Sequence, residues 1–216
     1  DFIGAVDPNG DAWWLGWTLP GTVVDEESVQ PAPFVTCNAD ESVCTITGQI
    51  LQDYTLVAGV EWRLDGEVVV GAGNLAVAND ADVAAIRNSG VTLTIRPGVH
   101  VRAFNTASLL VTRGSKLNAV GAPAAPITFS SLSDEDFDGE GEWGGVIIQG
   151  FAPQFGTGGT GPCYGSGTVC NVLGEGGTIV GNYGGNDPAD NSGALRYVRI
   201  AEGGKIAGPN NEINGL

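Results

Sequence analysis

Short apolar segments, separated by turns rich in Gly, Pro, Asn and Asp, constrain the fold of this chain more than any other feature. The segment Val91–Arg102 is followed by a similar one, Ala107–Asn118. Superposing Ile95 on Val111 gives a period of about 16 residues, and Ile127–Phe129 follows at a similar step. Segments of this length and composition are typical of β-strands.

The strand segments predict a parallel β-solenoid rather than a sandwich. Apolar strands that recur every ~16–25 residues, each followed by a glycine turn, are typical of solenoid coils. Each strand then pairs in parallel with its counterpart one coil later. A sandwich would need hairpin turns, and Asn9-Gly10 and Asn214-Gly215 join no strands of the repeat. The expected strands are Thr45–Leu51, Tyr54–Val57, Val60–Leu64, Glu67–Val70, Thr92–Ile95, Val99–Phe104, Ser108–Thr112, Lys116–Val120, Ile127–Ser130, Gly145–Ile148, Thr178–Val180 and Leu195–Ala201.

The predicted fold is all-β, with one short helix and one long decorated loop. The helix spans Asp80 to Asn88, with Asn79 or Asp80 as its cap and Gly90 at its end. Residues 139–185 contain 17 of the 35 glycines and form the predicted loop. We expect a Trp-rich segment or linker over residues 1–36 and a β-helix module over 37–216.

The charge balance excludes several classes of protein. The 216 residues include 25 Asp and Glu but only 9 Lys and Arg, which leaves a net charge of −16. Nucleic-acid binding requires a basic face, so we expect no nucleic acid as a partner. No apolar run reaches the ~18 residues of a membrane helix, and we expect no transmembrane segment.

The four cysteines form two pairs of identical spacing, each in a short polar loop. Neither pair has the spacing of a zinc knuckle, and one histidine cannot complete two zinc sites. We therefore expect two local disulfides, Cys37–Cys44 and Cys163–Cys170, which stabilise loops. Disulfides imply an oxidising compartment.

Five motifs follow one another in an order that resembles a known family. They are Thr92–Val99, Leu110–Lys116, Ala125–Ser131, Trp143–Gly150 and Gly185–Val198. The order resembles large secreted or outer-surface bacterial proteins, often labelled automatically as lipoproteins or multidrug transporters. The resemblance covers about residues 45–216 and implies a right-handed parallel β-helix, secreted or on the outer surface of a bacterium. It implies no activity. Relatives continue for several coils after a stretch like Asn210–Gly215, so we expect a module that is incomplete at its carboxyl-terminal end.

A run of acidic residues predicts a calcium site. Six carboxylates lie within nine residues, and they repel one another unless a cation lies among them. Alternating carboxylates followed by a glycine match the first half of an EF-hand loop, although the twelfth position lacks the bidentate Glu. The alternative is a solvated acidic turn. The expected ligands are Asp134, Asp136, Asp138, Glu140 and Glu142.

A weaker calcium site is predicted around a second group of oxygen ligands. Asn186, Asp187, Asp190 and Asn191 combine such ligands with turn-forming residues. The competing interpretation is that these side chains form Asx-turns without a metal.

Catalytic motifs are weak. A Ser-His-Asp triad would have to use His100, which with Arg102 is predicted to point outward from a strand. Parallel β-helices include polysaccharide lyases that use Ca²⁺ and an arginine base, but this is an analogy of fold alone. The arginines considered for that role are Arg96, Arg102, Arg113, Arg196 and Arg199.

The leading functional hypothesis is a structural or assembly protein at the cell surface. The open end of a solenoid exposes strand edges and an apolar core, so a second copy or an adjacent β-helix module is the expected partner. The residues expected to cover that end are Phe2, Ile3, Val6, Trp13, Trp14 and Trp17. Those tryptophans could equally cap the coils of their own chain. The alternative function is a glycan-binding or polysaccharide-lyase-like module.

Overall fold

The computed structural model describes residues 28–133, 139–153, 169–174, 180–208, 211–212 and 216. Within them the chain is mostly β-structure, with one α-helix, α1 (Asp80–Asn88). The strands are β1 (Val35–Cys37), β2 (Val43–Ile50), β3 (Tyr54–Leu56), β4 (Glu61–Val70), β5 (Thr92–Ile95), β6 (His100–Ala103), β7 (Ser108–Val111), β8 (Lys116–Val120), β9 (Ile127–Ser131), β10 (Val146–Ile148), β11 (Val172–Leu173), β12 (Asn182–Tyr183), β13 (Gly193–Arg196), β14 (Val198–Ile200), β15 (Ile206–Gly208) and β16 (Asn211–Glu212).

The largest sheet has eight strands arranged in two columns. Column one has the order β1-β2-β4-β6-β9-β14, and every pair in it is parallel except β1 with β2. In column two, β7 pairs in parallel with the second half of β4 and with β10. A separate four-stranded parallel sheet has the order β3-β5-β8-β13. The predicted parallel pairing of strands distant in sequence is confirmed.

The predicted superposition of Ile95 on Val111 is wrong. Ile95 lies opposite Ala119 in the four-stranded sheet, whereas Val111 lies opposite Val70 and Ile148 in column two. The chain passes through three strands, β5, β6 and β7, before β8 returns beside β5. The step between paired strands is therefore 24 residues at this point, and the apparent shorter period compares strands of different sheets.

Apolar side chains from both sheets form one core. Alternation along column one points Trp62, Val101 and Phe129 inward, and all three are buried. Leu93 and Leu117 face the same core from the four-stranded sheet. Burial of such side chains contributes roughly 1.5–3 kcal/mol each, so this core is the main source of stability.

Two glycines bend strands from column one into column two. Gly48 in β2 and Gly66 in β4 have φ values of +70° and +68°, which residues with a Cβ rarely adopt. Nothing lies within 4 Å of a Cβ built at either position, so backbone conformation rather than space requires glycine. This bend explains why the predicted strands Val60–Leu64 and Glu67–Val70 form one strand, β4.

Strand β1 and the residues before it cover the edge of the eight-stranded sheet that β2 would otherwise form. β1 pairs antiparallel with β2, and the Cys37–Cys44 disulfide joins the two strands, as predicted. Phe34 is buried and meets the ring of Tyr54 edge-on at 5.0 Å. Residues 28–36, which the sequence predicts to belong to the amino-terminal segment, thus pack on the same core. The domain boundary itself stays a prediction.

Helix α1 forms where the sequence predicts it. Asn79 caps it, because its side-chain oxygen accepts hydrogen bonds from the backbone N–H groups of Ala81 and Asp82. The carboxyl-terminal cap is Ser89 rather than Gly90. Val83 is buried against Val77 and Phe151 in a small separate cluster.

One further strand prediction differs from the structure, and another is not tested by it. The predicted strand Leu195–Ala201 is divided into β13 and β14 at Tyr197, whose φ of +49° interrupts extended backbone. The predicted strand Thr178–Val180 lies mostly outside the described residues. The same holds for much of the predicted glycine-rich loop, whose described parts contain β10, β11 and β12.

Candidate functional site

Outward-facing side chains of column one form a continuous polar surface, which we call the polar ladder. Its members alternate with inward-facing residues, which are buried in β4, β6 and β9 and partly buried in β14. Of the ladder residues, Ser130 is itself buried, at 2% exposure. The strand register places the members of the ladder in two rows, Glu61–His100–Thr128–Arg199 and Arg63–Arg102–Ser130. Adjacent parallel strands lie about 4.8 Å apart, so each row presents side chains at regular intervals across the sheet.

A carboxylate holds two guanidinium groups at one side of the ladder. Arg63 donates to Glu61 Oε1 through Nε at 2.6 Å, and Arg102 Nη1 lies 3.9 Å from Glu61 Oε2. Arg102 also donates to the backbone carbonyls of Ser131 and Leu132, both at 3.4 Å. The Arg63 and Arg102 side chains are 33% and 14% exposed. Both cations are therefore oriented by protein contacts while Arg63 stays accessible to a ligand.

His100 lies in the centre of the ladder beside a serine. Its Nε2 atom is 2.7 Å from Ser130 Oγ. Burial lowers the pKa of His100 below its usual value of 6.5, and the Arg102 cation lowers it further, against the opposing charges of Glu61 and Glu202. A neutral imidazole and a hydroxyl can each donate or accept a hydrogen bond.

The chemistry of the ladder suits a ligand with hydroxyl and carboxylate groups. Three of the nine Lys and Arg residues of the whole chain lie on it: Arg63, Arg102 and Arg199. Guanidinium groups bind carboxylates through paired hydrogen bonds, and the hydroxyl and imidazole groups bind neutral polar groups. The ladder thus combines the contacts that acidic sugars need.

Comparison of the sequence with protein-family profiles identifies the family of the chain. A profile of the family described as a pectate-lyase like beta helix domain matches residues 78–216, more than half of the chain. The chain belongs to this family. The matched residues include β6, β9 and β14 of the polar ladder, whereas β4 precedes them. Searches of curated proteins and of solved structures found no match.

The principal calcium site predicted for this β-helix domain lies mostly outside the described residues. Asp134, Asp136 and Asp138 are not among them, whereas Glu140 is exposed and Glu142 is half-buried. No three His, Cys, Asp or Glu side chains within the described ranges are grouped as a metal site requires. The calcium site stays a prediction.

The carboxylates of the weaker calcium site have protein partners. Arg87 donates to Asp187 Oδ2 at 2.9 Å and lies 3.7 Å from Asp190 Oδ1. Asp190 Oδ2 accepts the backbone N–H of Phe151. The other oxygens accept nearby backbone N–H groups, Asp187 from Ala189 and Asn191 from Gly193, as in Asx-turns. Asn186 is half-buried.

One arginine considered for a catalytic role is buried instead. Arg113 is 0% exposed, and its guanidinium donates only to backbone carbonyls among the described residues. It cannot contact a polysaccharide. Arg96 and Arg196 lie on the four-stranded-sheet side, while Arg102 and Arg199 belong to the polar ladder.

Several predicted residues lie outside the described part of the chain. These are Phe2, Ile3, Val6, Trp13, Trp14, Trp17 and Cys163. Cys170 is disulfide-bonded and buried, and its pairing with Cys163 stays a prediction. The described helix α1 is too short and too polar to cross a membrane.

Sequence reasoning missed Glu61, Arg63 and Ser130. Each is one polar residue in an alternating strand, a pattern that any half-exposed strand shows. Only the register, which aligns positions 61, 100 and 128, reveals that they share a surface with His100.

Proposed function

We propose that this β-helix domain binds a polysaccharide, with acidic sugars as the preferred class. The observation that carries the proposal is the polar ladder, which concentrates arginine, imidazole and hydroxyl groups on an otherwise acidic protein. Arg63 is the proposed contact for a sugar carboxylate because it is accessible and held by Glu61. The family description supports the same ligand class.

The proposal concerns binding rather than cleavage. Among the described ladder residues, Arg63 and Arg102 are engaged with Glu61, and His100 with Ser130. These contacts orient groups for recognition.

We further propose that the parallel columns are successive coils of a right-handed β-solenoid. We also propose that the chain works outside a bacterial cell, where its disulfide persists.

Isothermal titration calorimetry with an oligogalacturonate tests the proposed function. The titration is performed in EDTA, so that a bridging cation does not contribute. We expect the wild type to bind this oligomer more tightly than a neutral oligosaccharide of equal length. Arg63→Gln should weaken binding about tenfold or more, which corresponds to 1.4 kcal/mol.

Arg196→Gln is the matched control, because Arg196 is an exposed arginine of β13 in the other sheet. It should bind as the wild type does. Equal binding by Arg63→Gln and the wild type, or no binding by the wild type, would overturn the proposal.

A second candidate function is end-to-end association of two copies. Its basis is an open apolar cleft of about 440 Å³, lined by Leu195, Tyr197, Val198, Ile200 and Leu216. Among the described strands, none pairs with the outer edges of β13 and β14. Unpaired edges beside apolar side chains favour strand addition, and calcium on the acidic segment would lower the repulsion between copies.

A further inference from the structure

The polar ladder contains one group that changes charge near neutral pH, His100. It is the single histidine of the chain. Imidazole is the only side chain whose ordinary pKa lies between pH 5 and 8. The strand register places His100 in the middle of the ladder, between Glu61 of β4 and Thr128 of β9. A change of charge at this position therefore acts on both neighbouring strands of the binding surface.

The surroundings of His100 keep its ring neutral at pH 7.5. Burial lowers the pKa of His100 below its usual 6.5, and the Arg102 cation on the same strand lowers it further, whereas the carboxylates of Glu61 and Glu202 oppose this. Strand β9 faces the ring with the uncharged hydroxyl of Ser130. The ring therefore takes up a proton only as the pH falls below 6.5.

The contact between His100 and Ser130 suits both charge states of the ring. The Nε2 atom lies 2.7 Å from the serine Oγ. A neutral ring can donate or accept at this atom, and a charged ring donates to the hydroxyl oxygen. Protonation thus adds a positive charge to the centre of the ladder without requiring the two side chains to separate.

A proton on His100 also changes the charge balance around Glu61. The Glu61 carboxylate contacts Arg63 at 2.6 Å and lies 3.9 Å from Arg102 Nη1. A charged imidazole on the strand beside Glu61 is a further cation for this carboxylate, so the two guanidinium groups are less fully neutralised. With Arg199 of β14, the rows of the ladder then contain four cations rather than three, against one glutamate.

We propose that protonation of His100 regulates the polar ladder, so that an anionic polysaccharide binds more tightly at acidic than at neutral pH. This inference rests on the proposed function and adds its regulation. A bound carboxylate near the ring favours the charged imidazole, and by linkage the charged imidazole favours the bound carboxylate to the same degree. A neutral polysaccharide has no such charge, and its binding should not respond to pH.

Calorimetric titration with the oligogalacturonate at pH 7.5 and at pH 5.0, in EDTA and at constant ionic strength, tests the proposal. We expect the wild type to bind at least threefold more tightly at pH 5.0. His100→Gln should bind equally at the two pH values, because its amide can still contact Ser130 but cannot take up a proton. The neutral oligosaccharide of equal length should show no dependence on pH with either protein.

Glu67→Gln is the matched control, because burial raises the pKa of Glu67 and makes it a second group that can titrate in this range. Glu67 lies in the part of β4 that belongs to column two, outside the ladder. Its removal should leave the pH dependence unchanged.

Nuclear magnetic resonance of the wild-type His100 ring provides a test without a variant at this position, should His100→Gln fail to fold. The midpoint of the ring titration should move to higher pH when the oligogalacturonate is bound. An unmoved midpoint would overturn the proposal, as would a pH dependence that persists in the folded His100→Gln variant. Equal binding by the wild type at both pH values would overturn this regulation alone, whereas no binding at either pH would overturn the proposed function as well.

Discussion

Arg113 shows how a single residue organises the loops beside column two. Its Nε atom donates to the Gly73 carbonyl at 2.9 Å, and Nη2 donates to Leu75 at 2.6 Å. Nη1 donates to the carbonyls of Cys170 and Gly184 at 2.7 and 3.0 Å. Burial lowers the pKa of Arg113, yet an arginine remains charged at any physiological pH. One buried cation thus satisfies four carbonyls from three separate places in the chain, residues 73–75, Cys170 and Gly184.

Replacing Arg113 with Met should strongly destabilise the protein. Met fills similar space, but it leaves the carbonyls that Arg113 contacts without a donor. We expect the free energy of unfolding to fall by about 3–5 kcal/mol, measured by urea denaturation. Arg196→Met, at an exposed position, should change it by less than about 0.5 kcal/mol. Equal effects of the two substitutions would show that the Arg113 contacts do not stabilise the loops.

At the scale of elements, the Cys37–Cys44 disulfide joins the short strand β1 to β2. The strand has only three residues and a register of three pairs with β2. Tyr54 strengthens the attachment by donating its hydroxyl to the Gln30 carbonyl at 2.7 Å. The cross-link limits the unfolded chain and therefore stabilises this covering segment.

The double substitution Cys37→Ala and Cys44→Ala should lower the free energy of unfolding by about 2–3 kcal/mol. Hydrogen exchange should become faster at the amides of β1 and stay unchanged at those of β10, which lies far along the sheet. Unchanged exchange in β1 would mean that pairing and the burial of Phe34 hold this strand without the cross-link.

The bounds of strands and helices were more predictable from the sequence than the identity of the strands that pair with each other. Strand β5, strand β8 and helix α1 have their predicted bounds, because alternating burial and the Asn79 cap are local properties. Register is not local. Insertions such as α1 change the number of residues between paired strands. His100 therefore lies opposite Glu61 and Thr128 although its separations from them along the sequence are unequal. The polar ladder could not be assembled from spacing alone.

At the scale of the whole molecule, the apolar cleft beside β13 and β14 is the surface that we propose contacts a second copy. Tyr197 is 49% exposed there, beside partly buried Val198 and Ile200. Tyr197→Asp places a charge on this surface, and aspartate tolerates the positive φ of the position. We expect the wild type to associate as its concentration rises and Tyr197→Asp to remain monomeric in analytical ultracentrifugation.

Leu75→Asp controls for the loss of an exposed apolar side chain elsewhere, since Leu75 is 67% exposed. It should associate like the wild type. A wild-type monomer at all concentrations, with or without calcium, would exclude assembly through this cleft.

The polar ladder as a binding surface is the central claim, and a crystal structure of the chain with a bound oligogalacturonate tests it most directly. The account predicts sugar density across β4, β6 and β9, with a carboxylate within hydrogen-bond distance of the Arg63 guanidinium. Hydroxyl groups should lie near His100 and Arg102. Ordered sugar on the four-stranded sheet, with the ladder free of ligand, would contradict the account.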